Sequence, residues 1–130
     1  MAAGHLFVLG GARSGKTAFA EQTALATGKA PVYLATGGAG DAEMAARIEA
    51  HRAARGPAWR TVEEPLNLAA AISRESRAET VILVDCLTLW LSNLMADDAD
   101  PLAAGAGLVE ALAAAPGPVI LVSNEVGQGI

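Results

Sequence analysis

Residues Gly10-Gly11-Ala12-Arg13-Ser14-Gly15-Lys16-Thr17 satisfy the G-x-x-x-x-G-K-[ST] pattern without a gap, and this octapeptide constrains the fold more than any other stretch. It works only where a strand delivers the chain into a glycine-rich turn and a helix leaves it. Both flanks fit. Leu6 to Leu9 is a short apolar run suited to a buried strand, and Thr17 to Ala26 reads as a helix. Successive backbone N–H groups then turn inward around an anion, and the positive end of the helix dipole faces the same place. Lys16 is placed to reach the β- and γ-phosphates of a nucleotide, and the Thr17 hydroxyl to meet the accompanying Mg²⁺. A glycine-rich turn with an exposed lysine is the plainer alternative, but it leaves the flanking strand and helix without a purpose.

The same alternation continues along the chain. Pro31 to Thr36 reads as a second buried strand running into the loop Gly37-Gly38-Ala39-Gly40, and Asp41 caps a helix reaching to about Arg55, stopped by Gly56-Pro57. Trp59 to Glu63 alternates more than the other strands, which suits a place near a sheet edge. A helix begins at Pro65 and carries Leu68 and Ile72. Thr80 to Asp85 is the strongest strand, almost wholly β-branched and apolar, and reads as buried on both faces. Leu87 to Met95 is an apolar helix, Leu102 to Ala114 a helix weakened by Gly105 and Gly107, and Pro118 to Val122 a fifth strand. Strands separated by helices predict an α/β fold, a P-loop NTPase-type, mainly parallel sheet with helices on both faces.

Composition narrows the function. A chain of 130 residues suits one domain, and a net charge of −5 leaves no broad basic surface to track a nucleic acid, so the few arginines must serve a local anion. No run approaches the ~20 apolar residues of a transmembrane helix, and the start lacks a cleavable leader. The single cysteine, Cys86, excludes an internal disulfide and fits a reducing cytoplasm.

Asp85 ends the most buried strand, where ligands gather in open α/β sheets. Two readings stand: a carboxylate completing the Mg²⁺ site begun by Thr17, or a cap for the helix from Leu87. Asn124 and Glu125 end the fifth strand at the same edge, either as contacts to a γ-phosphate or as an ordinary turn. Met44, Ile48, His51 and Arg55 recur at helical spacing. His51 is thus either a hydrogen-bonded core histidine or an imidazole near a polyphosphate, with Arg47, Arg52 and Arg55 around it. The plain alternative for those arginines is a solvated face paired with Glu43 and Glu49. Cys86, Trp59 and Trp90 read as core.

Together, G-G-A-R-S-G-K-T, A-T-G, D-A-E-M-A-A-R-I-E-A-H, W-R-T-V-E-E-P, L-V-D-C-L-T-L-W-L-S-N and V-S-N-E-V-G-Q-G-I span the chain in order. With them the sequence resembles the bifunctional adenosylcobinamide kinase/adenosylcobinamide-phosphate guanylyltransferase family of cobalamin biosynthesis. The resemblance implies phosphorylation of adenosylcobinamide by GTP or ATP, then transfer of GMP from GTP to that phosphate through a histidine-bound GMP. It implies that His51 is the nucleophile, that Gly10 to Thr17 hold the triphosphate, and that Asp85 is among the positions used around GTP. Ala35, Thr36, Gly37, Arg52, Ala53, Ala54, Arg55 and Glu63 match positions used around GTP. It further implies a homo-oligomer in the full-length family form and a part beyond V-G-x-G-I, so the single domain 1–130 is expected to be incomplete at its C-terminus. Two rivals remain: a small-molecule P-loop kinase without the nucleophilic histidine, and a non-catalytic GTP switch, whose guanine-reading N-K-x-D is missing.

Overall fold

Among the described residues, five strands form one parallel sheet in the order β1-β5-β4-β2-β3. They are β1 (Leu6–Gly10), β2 (Ala30–Ala35), β3 (Arg60–Glu63), β4 (Thr80–Asp85) and β5 (Val119–Asn124). The computed structural model describes residues 4–10, 15–37, 46, 49, 53, 56 and 58–124. Its helices are α1 (Lys16–Ala26), α2 (Leu68–Glu75), α3 (Leu87–Ala96) and α4 (Pro101–Ala114). Most of the helix expected over 41–55 lies outside the described residues, including Met44, Arg47, Ile48 and His51; Ala46, Glu49 and Ala53 are helical.

The period-two alternation of the central strands divides the core in two. Val32, Leu34, Ile82, Val84, Val119 and Leu121 face one side, where α2, α3 and α4 cover them through Leu68, Ile72, Trp90, Leu94 and Leu108. Tyr33, Ala35, Val81, Leu83, Ile120 and Val122 face the other, against Ala20 and Ala24 of α1 and Trp59. Helices therefore cover both faces. β4, third of five strands, has Val81 to Val84 fully buried, each contributing about 1.5–3 kcal/mol by leaving water. β3 lies at the edge, as its weaker apolar pattern predicts.

Local chemistry sets the element ends. Asp100 accepts from the Leu102 amide at 3.0 Å and Pro101 opens α4, which forms in spite of Gly105 and Gly107. Gly107 faces Ala69 of α2 with room for a Cβ at ordinary contact distance, 3.9 Å. Gly117 is required outright: a Cβ there would lie 2.1 Å from the Arg77 carbonyl oxygen. The expected start of α2 at Pro65 is corrected to Leu68, because the Glu64 carboxylate accepts from the Leu66 and Asn67 amides and makes a turn first. His5 accepts from the Val119 amide through Nδ1 at 3.0 Å, so Nε2 carries the proton it donates to the Leu112 carbonyl at 2.7 Å. It fastens β1 to the entry of β5 and the end of α4.

Candidate active site

Parallel strands bring their carboxyl ends to one edge of the sheet. Gly10 is in register with Asn124, and Val122 with Asp85, while Asp85 and Glu63 both lie opposite Ala35. Gly10, Asp85, Ala35 and Glu63 therefore collect at one rim. Neighbouring strands stand about 4.8 Å apart, and β5 intervenes between β1 and β4, so their ends are about 10 Å apart. That gap suits a phosphate group and a hydrated cation between them.

On the β1 side, Gly15 takes φ +79 and caps α1 in the left-handed conformation that favours glycine. Its carbonyl accepts from the Phe19 amide at 3.0 Å, starting the helix immediately. The first turn of α1 holds no acidic side chain, leaving its positive end fit for an anion. Lys16 is buried and Thr17 half-buried. A groove of about 500 Å³ runs along this wall, lined by Leu6, Val8, Gly10, Gly15, Lys16 and Phe19 among others.

On the β4 side, Asp85 is half-buried and accepts a hydrogen bond from the Tyr33 hydroxyl. It is not the cap of α3: Cys86 occupies that position and makes no side-chain capping bond. Thr36 is fully buried and its hydroxyl is engaged with the backbone, donating to the Cys86 carbonyl at 2.7 Å and accepting from the Cys86 amide at 2.9 Å. The Thr36 amide donates to the Asp85 carbonyl at 3.1 Å. Asn93 of α3 donates to the Thr36 carbonyl at 2.8 Å and to that of Pro65 at 3.0 Å, and the Trp90 indole donates to Leu66. Thr88 and Ser123 share a hydroxyl hydrogen bond of 3.0 Å, tying α3 to the end of β5.

The Cys86 thiol, buried as expected, has its pKa pushed up by burial and by the Asp85 charge, against the opposing backbone groups of Leu89 and Thr88 and the charge of Lys16. Trp59 and Trp90 are core, also as expected.

Gly10, Gly15, Lys16, Thr17, Ala35, Thr36, Gly37, Glu63 and Asp85 are thereby gathered by one rim, and Ala53 is exposed on a helical stretch. Gly11, Ala12, Arg13, Ser14, His51, Arg52, Ala54, Arg55 and Glu125 lie outside the described residues. Sequence reasoning missed Tyr33 and Asn93. Period two on β2 places Tyr33 on the face of Ala35, and Asn93 is a lone amide three residues from Trp90 on an apolar helix; both signals were available.

The family model described as "Cobinamide kinase / cobinamide phosphate guanyltransferase" matches residues 6–130. The chain belongs to this family. It is 52% identical to the bifunctional adenosylcobalamin biosynthesis protein CobP of Pseudomonas aeruginosa, covering 95% of this chain and 72% of that protein. Against the bifunctional adenosylcobalamin biosynthesis proteins CobU of Escherichia coli and Salmonella typhimurium identity is 39% and 37%, with 96% of this chain and 77% of each relative covered. This member of the cobinamide kinase / cobinamide phosphate guanyltransferase family also resembles the crystal structure of the RadB recombinase in fold. The TM-score is 0.55 at 20% identity, covering 92% of this chain and 60% of that one. The family match and the parallel sheet covered on both faces bear out the α/β, P-loop NTPase-type reading of the fold.

Proposed function

We propose that this chain carries both activities of its family, phosphorylating adenosylcobinamide and then transferring GMP from GTP to adenosylcobinamide phosphate to give adenosylcobinamide-GDP. The observation that supports this is the shared rim, with Gly10 and buried Lys16 on one side and Asp85 on the other, in a chain with bifunctional relatives. In the first reaction the acceptor hydroxyl attacks the γ-phosphorus of GTP or ATP while Lys16 and the α1 N-terminus hold the phosphates. In the second, a neutral His51 ring nitrogen attacks the α-phosphorus of GTP and pyrophosphate leaves. A phosphate oxygen of adenosylcobinamide phosphate then attacks the same phosphorus, breaking the P–N bond and restoring the imidazole.

The donor set fits Mg²⁺, which keeps several waters and takes one or two protein oxygens beside the phosphates, here from Asp85 and Thr17. Bound there, Mg²⁺ supplies neutralisation of phosphate charge. Arg52 and Arg55 serve the polyphosphate, with Gly37 and Glu63 beside the nucleoside. Among the described residues no helix is long and apolar enough to cross a membrane. The chain works in the cytoplasm as one nucleotide-binding domain of a homo-oligomer, with no nucleic-acid partner.

The deciding experiment incubates the protein with α-labelled GTP and Mg²⁺, followed by denaturation and peptide mapping. An acid-labile, base-stable label on His51, lost in His51→Ala and His51→Asn while adenosylcobinamide phosphorylation persists, is the expected result. Label retained by those variants, or mapped to lysine or serine, removes His51 as the nucleophile, and absence of any label leaves only a P-loop kinase without guanylyltransferase activity.

A further inference from the structure

We propose that Tyr33 is a positioning residue for the nucleotide-bound cation, acting through Asp85. This rests on the assignment of Asp85 to that cation. Tyr33 lies on β2 in register with Leu83, two residues before Asp85 on the adjacent strand, so the two side chains stand on one face as diagonal neighbours. Its hydroxyl donates to one carboxylate oxygen of Asp85. The ring is 5% exposed and meets Trp59 edge-on, with centroids 6.2 Å apart and planes at 75°. Trp59 immediately precedes β3, so a side chain from the neighbouring strand's entry steadies the phenol from beneath.

A carboxylate held at one oxygen has its plane set, and with it the direction in which the other oxygen presents its lone pairs. Asp85 also sits at the point where β4 leaves the sheet, its backbone pinned by the Thr36 amide. Backbone and side chain are therefore fixed separately, the first by Thr36 and the second by Tyr33. A phenol buried solely for packing has no need of an oxygen, and phenylalanine would fill the same volume.

The test uses Tyr33→Phe, Asp85→Asn and the double variant, with the Mg²⁺-dependent gain in affinity for a fluorescent GTP analogue as the readout. Removing an outer partner of a metal ligand weakens metal binding by about ten-fold or more, so Tyr33→Phe should raise the half-saturating Mg²⁺ concentration by about that factor. In the Asp85→Asn background the same substitution should add nothing. An unchanged Mg²⁺ requirement in Tyr33→Phe, or an equal effect in the Asp85→Asn background, overturns the proposal. If Asp85→Asn itself leaves the Mg²⁺ gain intact, the assignment of the cation to Asp85 has failed; if Asp85→Asn removes it and Tyr33→Phe leaves the half-saturating Mg²⁺ concentration unchanged, only the role of Tyr33 has failed.

Tyr33 is the one tyrosine of the chain, which provides a second measurement in the wild-type protein should Tyr33→Phe not fold. Tyrosine labelled with ¹³C at Cζ gives a single resonance that reports the hydrogen bond of its phenol. Adding Mg²⁺ to the GTP-bound protein should shift that resonance, and Asp85→Asn should abolish the shift. A resonance unmoved by Mg²⁺ overturns the proposal.

Discussion

Replacing Thr36 by valine keeps the shape of a fully buried side chain and deletes two hydrogen bonds, both to Cys86. The Cys86 carbonyl still receives the Trp90 amide at 3.2 Å, so the lost hydroxyl donor there matters little. The acceptor taken from the Cys86 amide matters more, since it stands in a buried site at the junction of β4 and α3. Depriving a buried amide of its acceptor costs about 1–3 kcal/mol and the weaker second bond about 0.5–1, which together give roughly 1.5–4 kcal/mol. A chain of 130 residues melts with an entropy of about 270 cal/mol/K, so Tm should fall by about 5–15 °C. Because the lost bonds hold the backbone directly after Asp85, Mg²⁺-dependent GTP binding should weaken along with stability. Thermal denaturation followed by circular dichroism, with a Mg²⁺-GTP titration well below the transition, checks both. A Tm lowered by less than about 2 °C would place Thr36→Val among ordinary surface-like changes and refute the clamp.

Lys16→Ala should lower GTP affinity by about 10- to 100-fold, the worth of a hydrogen bond to a charged phosphate, and should impair both reactions. Thr17→Ala should act chiefly on the Mg²⁺-dependent part; unchanged affinity and turnover in both variants, measured by titration and coupled assay, would remove the phosphate-loop assignment. The folded Cys86 thiol, its pKa raised first by burial, should resist alkylation at mildly alkaline pH until the protein is denatured. Its raised folded value means the unfolded state loses its proton first, so the corresponding stability is present below the ordinary value near 9.0 and is lost as pH rises through the folded one. Denaturant titrations of the nucleotide-free protein across that range should show Cys86→Ala losing less stability than the wild type, and parallel curves would contradict the assignment.

Much of this architecture is legible in local patterns. Val32 and Leu34 alternate with Tyr33 and Ala35, and the unbroken apolar run from Val81 to Val84 marks the centre of the sheet, because a strand covered on both faces needs no polar side chain there. The phosphate loop is legible because it depends on contiguous residues. The clamp around Asp85 is not, because its bonds join residues 50 to 57 positions apart: Thr36 with Cys86, Tyr33 with Asp85 and Asn93 with Thr36. Only the strand order makes those pairs neighbours. The start of α2 was misread for a different reason: Pro65 is acceptable at a first helical position, but the Glu64 carboxylate offers the next amides a competing partner.

The two walls of the rim differ in how firmly they are built, and the difference bears on running two reactions in one site. Asp85 leaves the central strand between neighbours on both sides, with Tyr33, Thr36 and, through Thr36, Asn93 restraining it. β1 lies at the sheet edge with Phe7 54% and Leu9 56% exposed, and α1 buries only Lys16, Ala20 and Ala24. Segments with few buried contacts open at lower free energy than a central strand. The carboxylate that would direct a cation therefore stands on a wall that is costly to move. Phosphoryl transfer presents the γ-phosphorus to its acceptor and GMP transfer presents the α-phosphorus. A carboxylate fixed by Tyr33 and Thr36 gives both presentations one common reference for the cation.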